Sequence, residues 1–292
     1  ITQLGLGDRG QFLLIALLTF FFSALLDNLT VTIIMVQIAR RFFADERLII
    51  AVTGIVIVAN AGGAWSPIGD VTTIMLWLAG KFSALEVITW GFFPSLAMGL
   101  VATFFISRHL SKNRGGGETC EEVQLCAQEK MVITLAFGSF TLPVLFHLAH
   151  LPPYLGLLFG LGVTWLFIEY FKNHSTCEFE TKRTNLERLV QKTDIASIKF
   201  FIGILLSVSA LGALGILDTL SLLVFGETPT DLRVGIGSAV MGLLSAIVDN
   251  VPLTALAIDL IHLDNPELWV LTAVTVGTGG SLLLIGSVAG VI

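Results

Sequence analysis

Long apolar runs leave this chain few folding options. Hydrophobic stretches fill roughly 11–39, 48–79, 84–107, 131–150, 152–171, 198–225, 230–262 and 267–292. Most are long enough for the ~20 residues that a membrane-spanning helix requires. Strands of a closed barrel would alternate polar and apolar residues, and a run such as Ile198 to Leu206 does not. The expected fold class is therefore an all-α polytopic membrane protein. Charged residues make up 13% of the chain and hydrophobic ones 54%, with a mean hydropathy of +0.88, whereas an ordinary soluble domain carries about 25% charged residues. The net charge of −6 says little about partners when so little surface meets water, and nothing points to nucleic acid.

Cys120, Cys126 and Cys177 lie in two long polar loops and form no metal-ligand spacing with nearby histidines. Free loop thiols and no resident cofactor are expected. The chain begins at Ile1 with no basic n-region and ends with Gly290-Val291-Ile292 inside an apolar run, so it reads as a fragment cut at both ends, without a visible targeting segment.

Basic residues divide the connections into two classes. Arg40, Arg41 and Arg47 form one cluster, Arg108, Lys112, Arg114 and Lys130 a second, and Lys172, Lys182, Arg183, Arg188, Lys192 and Lys199 a third. The connections near 80–84, 147–153, 226–233 and 262–267 carry one basic residue or none. The positive-inside rule puts the rich loops in the cytoplasm. Segment 230–262 then begins and ends outside, and segment 11–39, with Arg9 before it, begins and ends inside. Each reads as a re-entrant hairpin whose limbs are too short to cross the ~30 Å hydrocarbon core.

The tips of these hairpins match. Ser23-Ala24-Leu25-Leu26-Asp27-Asn28-Leu29-Thr30 recurs as Ser245-Ala246-Ile247-Val248-Asp249-Asn250-Val251-Pro252. The helix after each hairpin also matches: Gly62-Gly63 and Gly279-Gly280 are each followed five residues later by Ile-Gly. Paired glycines, and Pro67 beside the first pair, break a helix, and open backbone is tolerated in a membrane only against a cavity or buried protein. Two units of hairpin plus broken helix, entering from opposite faces, make an inverted-topology repeat, with a site near the midplane and alternating access. The expected organisation is a first repeat over 1–107 (hairpin 11–39, broken helix 48–79, helix 84–107), a cytoplasmic loop over 108–130, a helical hairpin over 131–171, and a second cytoplasmic loop over 172–197. A second, C-terminally truncated repeat follows over 198–292 (helix 198–225, hairpin 230–262, broken helix 267–292).

Ionisable residues are expensive at membrane depth, which singles out Asp27, Asp70 and Asp249. Asn28, Asn60, Asn250, Thr30, Thr72, Thr73 and Ser245 offer neutral oxygens beside them, and opened carbonyls at Gly62–Gly63 and Gly279–Gly280 complete a candidate shell. Hard oxygen donors suit a small, hard cation. Desolvation favours the neutral form of a buried carboxylate and a bound cation favours the charged form, so one such cluster serves protons or a cation, and competition between them couples two fluxes. Helix capping is the plainer role for Asp27 and Asp249, and Asp70 has no acidic counterpart, Ser287 standing at the matching position.

The run from Ser23 to Thr32, the stretch Asn60-Ala61-Gly62-Gly63-Ala64-Trp65-Ser66-Pro67-Ile68-Gly69-Asp70-Val71-Thr72-Thr73, and Ser245 through Pro252 closely resemble the NhaD family of sodium/proton antiporters. The resemblance covers essentially the whole chain. It implies exchange of Na⁺, and of Li⁺, for protons at two hairpin tips and two broken helices. It points to Asp27, Asn28, Asn60, Asp70, Thr72, Thr73, Ser245 and Asn250, with Na⁺ at Asp27, Asp70, Asn28 and Asn250. It also implies further helices on both sides of this fragment, a bacterial inner membrane or an organellar envelope as location, and a homodimer, since its members commonly dimerise. The alternative on the same scaffold is an oxyanion or carboxylate transporter, but an acidic tip repels an anion. An intramembrane aspartyl protease needs two paired aspartates, and the Gly5-Leu6-Gly7-Asp8 match sits at a polar end beside Arg9. A passive channel would need neither the repeat nor a proton flux.

Overall fold

The computed structural model describes residues 7–110, 126–149, 151–174, 195–224, 230–261 and 265–282. Cys120, Cys177, His150, the Ile285-Gly286-Ser287 match and the C-terminal residues lie outside them. Among the described residues every regular element is a helix: α1 (Asp8–Ser23), α2 (Asn28–Ala39), α3 (Asp45–Gly63), α4 (Val71–Leu78), α5 (Ala84–His109), α6 (Ala127–Ser139), α7 (Leu142–Leu148), α8 (Pro153–His174), α9 (Ile195–Ala213), α10 (Ile216–Val224), α11 (Asp231–Leu244), α12 (Asn250–Leu260) and α13 (Pro266–Gly279). Four stretches, Asp45–Gly63, Ala84–His109, Ala127–Leu148 and Pro153–Phe171, are long and apolar enough to cross a bilayer. The chain is an all-α integral membrane protein. α2 and α12, with 12 and 11 residues, rise about 18 Å or less and cannot span.

Two compact units form, one from residues 1–120 and 201–292, the other from 121–200. In the smaller unit α8 packs against α6 and α7. The absent side chain of Gly156 permits this, since a Cβ there would stand 2.7 Å from the Leu142 carbonyl oxygen. The stretch expected as one helix over 131–150 is interrupted at Phe140–Thr141, because Pro143 has no amide to give the Ser139 carbonyl. The helix expected over 198–225 is likewise two, α9 and α10. They are separated at Leu214–Gly215, where Gly215 has φ +69°, a left-handed conformation that glycine adopts without penalty.

In the larger unit α1 and α2 both pack against α3, and three contacts fix their directions. Asp8 Oδ2 accepts from Arg47 Nη1 at 3.0 Å, Gly54 faces the Phe12 ring, and Ser23 Oγ donates to the Ala59 carbonyl at 2.7 Å. α1 and α3 therefore start at one end and run the same way, and α2 returns the chain to that end. Such a pair is a helical hairpin with its tip at residues 24–27. Phe12, Ile15 and Phe20 of α1 pack with Val31, Met35 and Val36 of α2 and with Ile55 and Val58 of α3. Leu13, Leu17, Phe21 and Leu25 form an exposed stripe at i+4 spacing.

α11, α12 and α13 repeat this arrangement. Ser238 Oγ lies 2.7 Å from Thr272 Oγ1 and Ser245 Oγ donates to the Val276 carbonyl at 2.8 Å, so α11 and α13 run together and α12 turns back. The details correspond position by position. Ala59 and Val276 each stand three residues before a Gly-Gly pair, and each accepts from the serine that precedes an Asp-Asn tip. A Cβ on Gly62 would collide with the Phe20 carbonyl and one on Gly279 with the Gly242 carbonyl, Phe20 and Gly242 being three residues before those same serines.

The two ends of this unit differ in charge. At the Asp8–Arg47 end, Arg9 donates to the carbonyls of Leu110 at 2.7 Å and Arg108 at 3.1 Å, closing the C-terminus of α5. Beyond α4, Lys81 lies 4.5 Å over the ring of Trp269 in the first turn of α13. α13 thus begins where α4 ends.

Candidate functional site

Asp70 follows the break between α3 and α4. Residues 64–70 fold back so that Gly69 meets Gly63 and the tip of the first hairpin. A Cβ on Gly69 would lie 2.5 Å from the Ser23 carbonyl oxygen and 2.7 Å from that of Gly63. Pro67 is buried in this segment, and its fixed φ and missing amide keep the helix from reforming. Asp70, extended at φ −142°, is only 2% exposed.

Its carboxylate joins three elements. Oδ1 accepts from Asn28 Nδ2 at 3.1 Å, and the same amide donates to Asn60 Oδ1 at 2.9 Å. Oδ2 accepts from Asn250 Nδ2 at 3.5 Å. Asn28 opens α2 and Asn250 opens α12, so each hairpin tip offers Asp70 the first residue of its returning helix. Thr73 Oγ1 donates to the Asp70 backbone carbonyl at 2.8 Å. Thr72 Oγ1 is buried beside the carboxylate as a hydrogen-bonding neighbour, although its geometry falls short of a full hydrogen bond. Asp27 and Asp249 lie within electrostatic range of Asp70. Among the described residues no ion pair reaches Asp70, so a charged carboxylate there has no protein cation to offset its desolvation.

The other expected site residues have defined partners. Asp27 caps α2, accepting from Thr30 N at 3.1 Å and Thr30 Oγ1 at 3.3 Å, with Thr30 exposed. Asp249 stands at the matching position of α12 with no capping bond. Ser245 donates to the Val276 carbonyl and keeps its oxygen lone pairs. The backbone at the glycine pairs is locally engaged: Gly63 O accepts from Ser66 N at 3.3 Å and Gly279 O from Leu282 N at 3.0 Å. Asn60, Gly62 and Gly280 are buried with them.

Three residues escape a reading of sequence alone. Gly277 faces the carboxylate so closely that a Cβ would stand 2.7 Å from Asp70 Oδ2; its only local sign is a place just before the second glycine pair. Thr32 is buried with an unpartnered Oγ1, one helical turn beyond Asn28. Asp218, exposed in the first turn of α10, follows the Leu214–Gly215 interruption inside an apolar stretch.

Among the described residues no group of three or more His, Cys, Asp or Glu is placed to hold a metal ion. One buried carboxylate, held by two amide donors with a threonine hydroxyl beside it, offers a single negative charge. It fits a monovalent cation or a proton better than a divalent or soft metal.

Known proteins match this chain across nearly its whole length. The family model described as "Citrate transporter" matches residues 1–287. Sodium/proton antiporter 1 of Arabidopsis thaliana is 37% identical over 95% of the chain and 49% of its own length. Sodium/proton antiporter 2 of the same plant is 38% identical over 94% of the chain and 66% of its own length. The Na(+)/H(+) antiporter NhaD of Alkalimonas amylolytica is 34% identical over 98% of the chain and 63% of its own length. The chain thus spans about half to two thirds of these relatives. It belongs to the citrate transporter family and, within it, to the NhaD group.

Proposed function

We propose that this chain is part of a secondary transporter that exchanges Na⁺, and Li⁺, for protons by alternating access, with ion and proton competing for Asp70. The observation that carries this reading is the Asp70 carboxylate, 2% exposed, hydrogen-bonded to Asn28 from one hairpin tip and Asn250 from the other. A buried carboxylate without a cationic side chain is costly unless a proton or a cation neutralises it. A site that takes one or the other in turn links their movements. The relatives named as sodium/proton antiporters support the choice of ion.

The inverted repeat belongs to the same reading. Its support is the matched Ser–carbonyl bonds of the two hairpins, together with α13 beginning at the Lys81 end while α3 begins at the Arg47 end. Halves of opposite direction that meet at one carboxylate suit alternating access. Citrate as substrate, which the family description names, is disfavoured by the site itself: a tricarboxylate needs basic partners, and among the described residues Asp70 has none. Homodimerisation and location in a bacterial inner membrane or organellar envelope rest on the NhaD resemblance. Crosslinking of the full-length parent in native membranes tests the former.

The deciding experiment uses everted vesicles with the full-length parent of this chain beside its Asp70→Asn variant at equal abundance. Added Na⁺ or Li⁺ is expected to release accumulated protons with the parent and not with Asp70→Asn. A folded parent that ignores both cations but moves a carboxylate or oxyanion sinks the proposal.

A further inference from the structure

A groove of about 230 Å³ runs between α1 and α5 in the larger unit, with Leu13, Leu17 and Phe21 on one wall, Leu96 and Leu100 on the other, and Val58 of α3 between them. Leu13, Leu17, Phe21 and Leu100 are exposed, while Val58 is buried as the floor. Pockets for compact, drug-sized ligands run to ~300–1,000 Å³. This narrower, apolar one suits a single linear chain.

Positive charge gathers at one end of it. Arg9 stands four residues before Leu13, on the same helical stripe. Its Nε and Nη2 donate to the carbonyls of Leu110 and Arg108, which ties it to the end of α5 and leaves Nη1 outside those bonds. Arg108 is exposed, its guanidinium 4.3 Å over the ring of Phe104, and Phe104 lies one turn beyond Leu100. No other Lys or Arg occurs in α1 or α5. Of the acidic side chains at this end, Asp8 accepts from Arg47, and Asp45 and Glu46 belong to the first turn of α3, not to the groove walls. Arg9 and Phe21 are twelve residues apart, a rise of about 18 Å, and half of a ~30 Å hydrocarbon core is roughly 15 Å. A protein helix would cover the apolar walls without using the arginines; an anion with an attached apolar chain uses both. Guanidinium groups pair with phosphate oxygens, and basic pockets beside membrane helices hold anionic headgroups.

We infer that the α1–α5 groove binds an anionic phospholipid, with its phosphate at Arg9 and Arg108 and one acyl chain laid past Leu13, Leu17 and Leu100 toward Phe21. The site is separate from the Asp70 carboxylate and stands whichever ion the protein carries.

The test uses the full-length parent in phosphatidylcholine nanodiscs that contain, at equal mole fraction, phosphatidylglycerol or phosphatidylcholine bearing the same photoactivatable acyl chain, with crosslinks mapped to peptides. The phosphatidylglycerol probe is expected to label segments 13–21 and 96–103 at least threefold more than the phosphatidylcholine probe. Arg108→Gln is expected to cut that preference at least by half without lowering the phosphatidylcholine signal. Thr103 also lines the groove, and Thr103→Trp, which sets an indole there, is expected to lower both signals at least threefold. Leu100→Trp takes its place if that variant does not fold. Equal labelling by the two probes in the parent overturns the inference, as does a preference unchanged by Arg108→Gln or labelling unmoved by the tryptophan. Absence of label from both segments overturns it too, and shows that a further helix of the parent or a second copy covers the groove.

Discussion

At the scale of single residues, backbone proximity governs what the larger unit tolerates. Gly62 and Gly279 each press against a carbonyl of the ascending hairpin limb, and a carbonyl cannot step aside as a flexible side chain can. Overpacking of this kind costs ~1–3 kcal/mol or more. Gly62→Ala and Gly279→Ala are therefore expected to lower the thermal unfolding midpoint of the purified full-length protein in detergent. Gly162, in α8 with nothing within 4 Å of its Cβ position, supplies the opposite sign: Gly162→Ala removes a helix penalty of roughly 1 kcal/mol and should leave the midpoint unchanged or higher. A matching drop in all three would show that the glycines act through something other than close approach. Asn28 gives a polar counterpart, because its one amide serves both Asn60 and Asp70. Asn28→Ala leaves two buried acceptors without that donor, a loss on the order of 1–3 kcal/mol, readable in the same melt.

Elements obey the same physics with other consequences. α2 is too short to span and is anchored at its start by the Asp27 cap, whose removal in Asp27→Ala is expected to cost about 1 kcal/mol, with Asp27→Ser recovering most of it. An unchanged melt in the alanine variant would deny the cap any role. Much of this architecture was legible beforehand. Helical hairpins were expected from the charge on both sides of segments 11–39 and 230–262, and the Asp-Asn tips stood out as candidates because acidic residues are rare in apolar segments. The pairing of Asn28, Asn250 and Asp70 was legible only as a set of candidates, since no local pattern states that residues 180 positions apart share a carboxylate. Two helix interruptions were missed for local reasons that are plain in hindsight: Pro143 withholds one amide, and Gly215 takes a left-handed turn. Gly277 was missed because its role exists only across the packed interface, where the neighbour that needs the room is far away in sequence. The unequal capping of Asp27 and Asp249 sits in the contrast of Thr30 with Pro252, yet that contrast carries meaning only once both residues are known to follow hairpin tips.

For the whole molecule, direction in the membrane is the testable property. If the two sets of helices are inverted copies, the start of α3 faces the cytoplasm and the start of α13 faces away from it. Exposed Glu46 and Glu267 mark these two places. In the full-length parent, Glu46→Cys is expected to react with a membrane-impermeant thiol reagent only in everted vesicles, and Glu267→Cys only in right-side-out ones; labelling of both from one side ends the inverted arrangement. The basic end has a further consequence, in time rather than space. Asp8 grips Arg47 and Arg9 grips the end of α5, contacts 39 and 101 residues apart in the chain, so the first five helices can be clasped while later segments are still being translated. Asn28 and Asn60 are by then in hand for one oxygen of Asp70. Asn250, which meets the other, lies 180 residues beyond Asp70 and is made last.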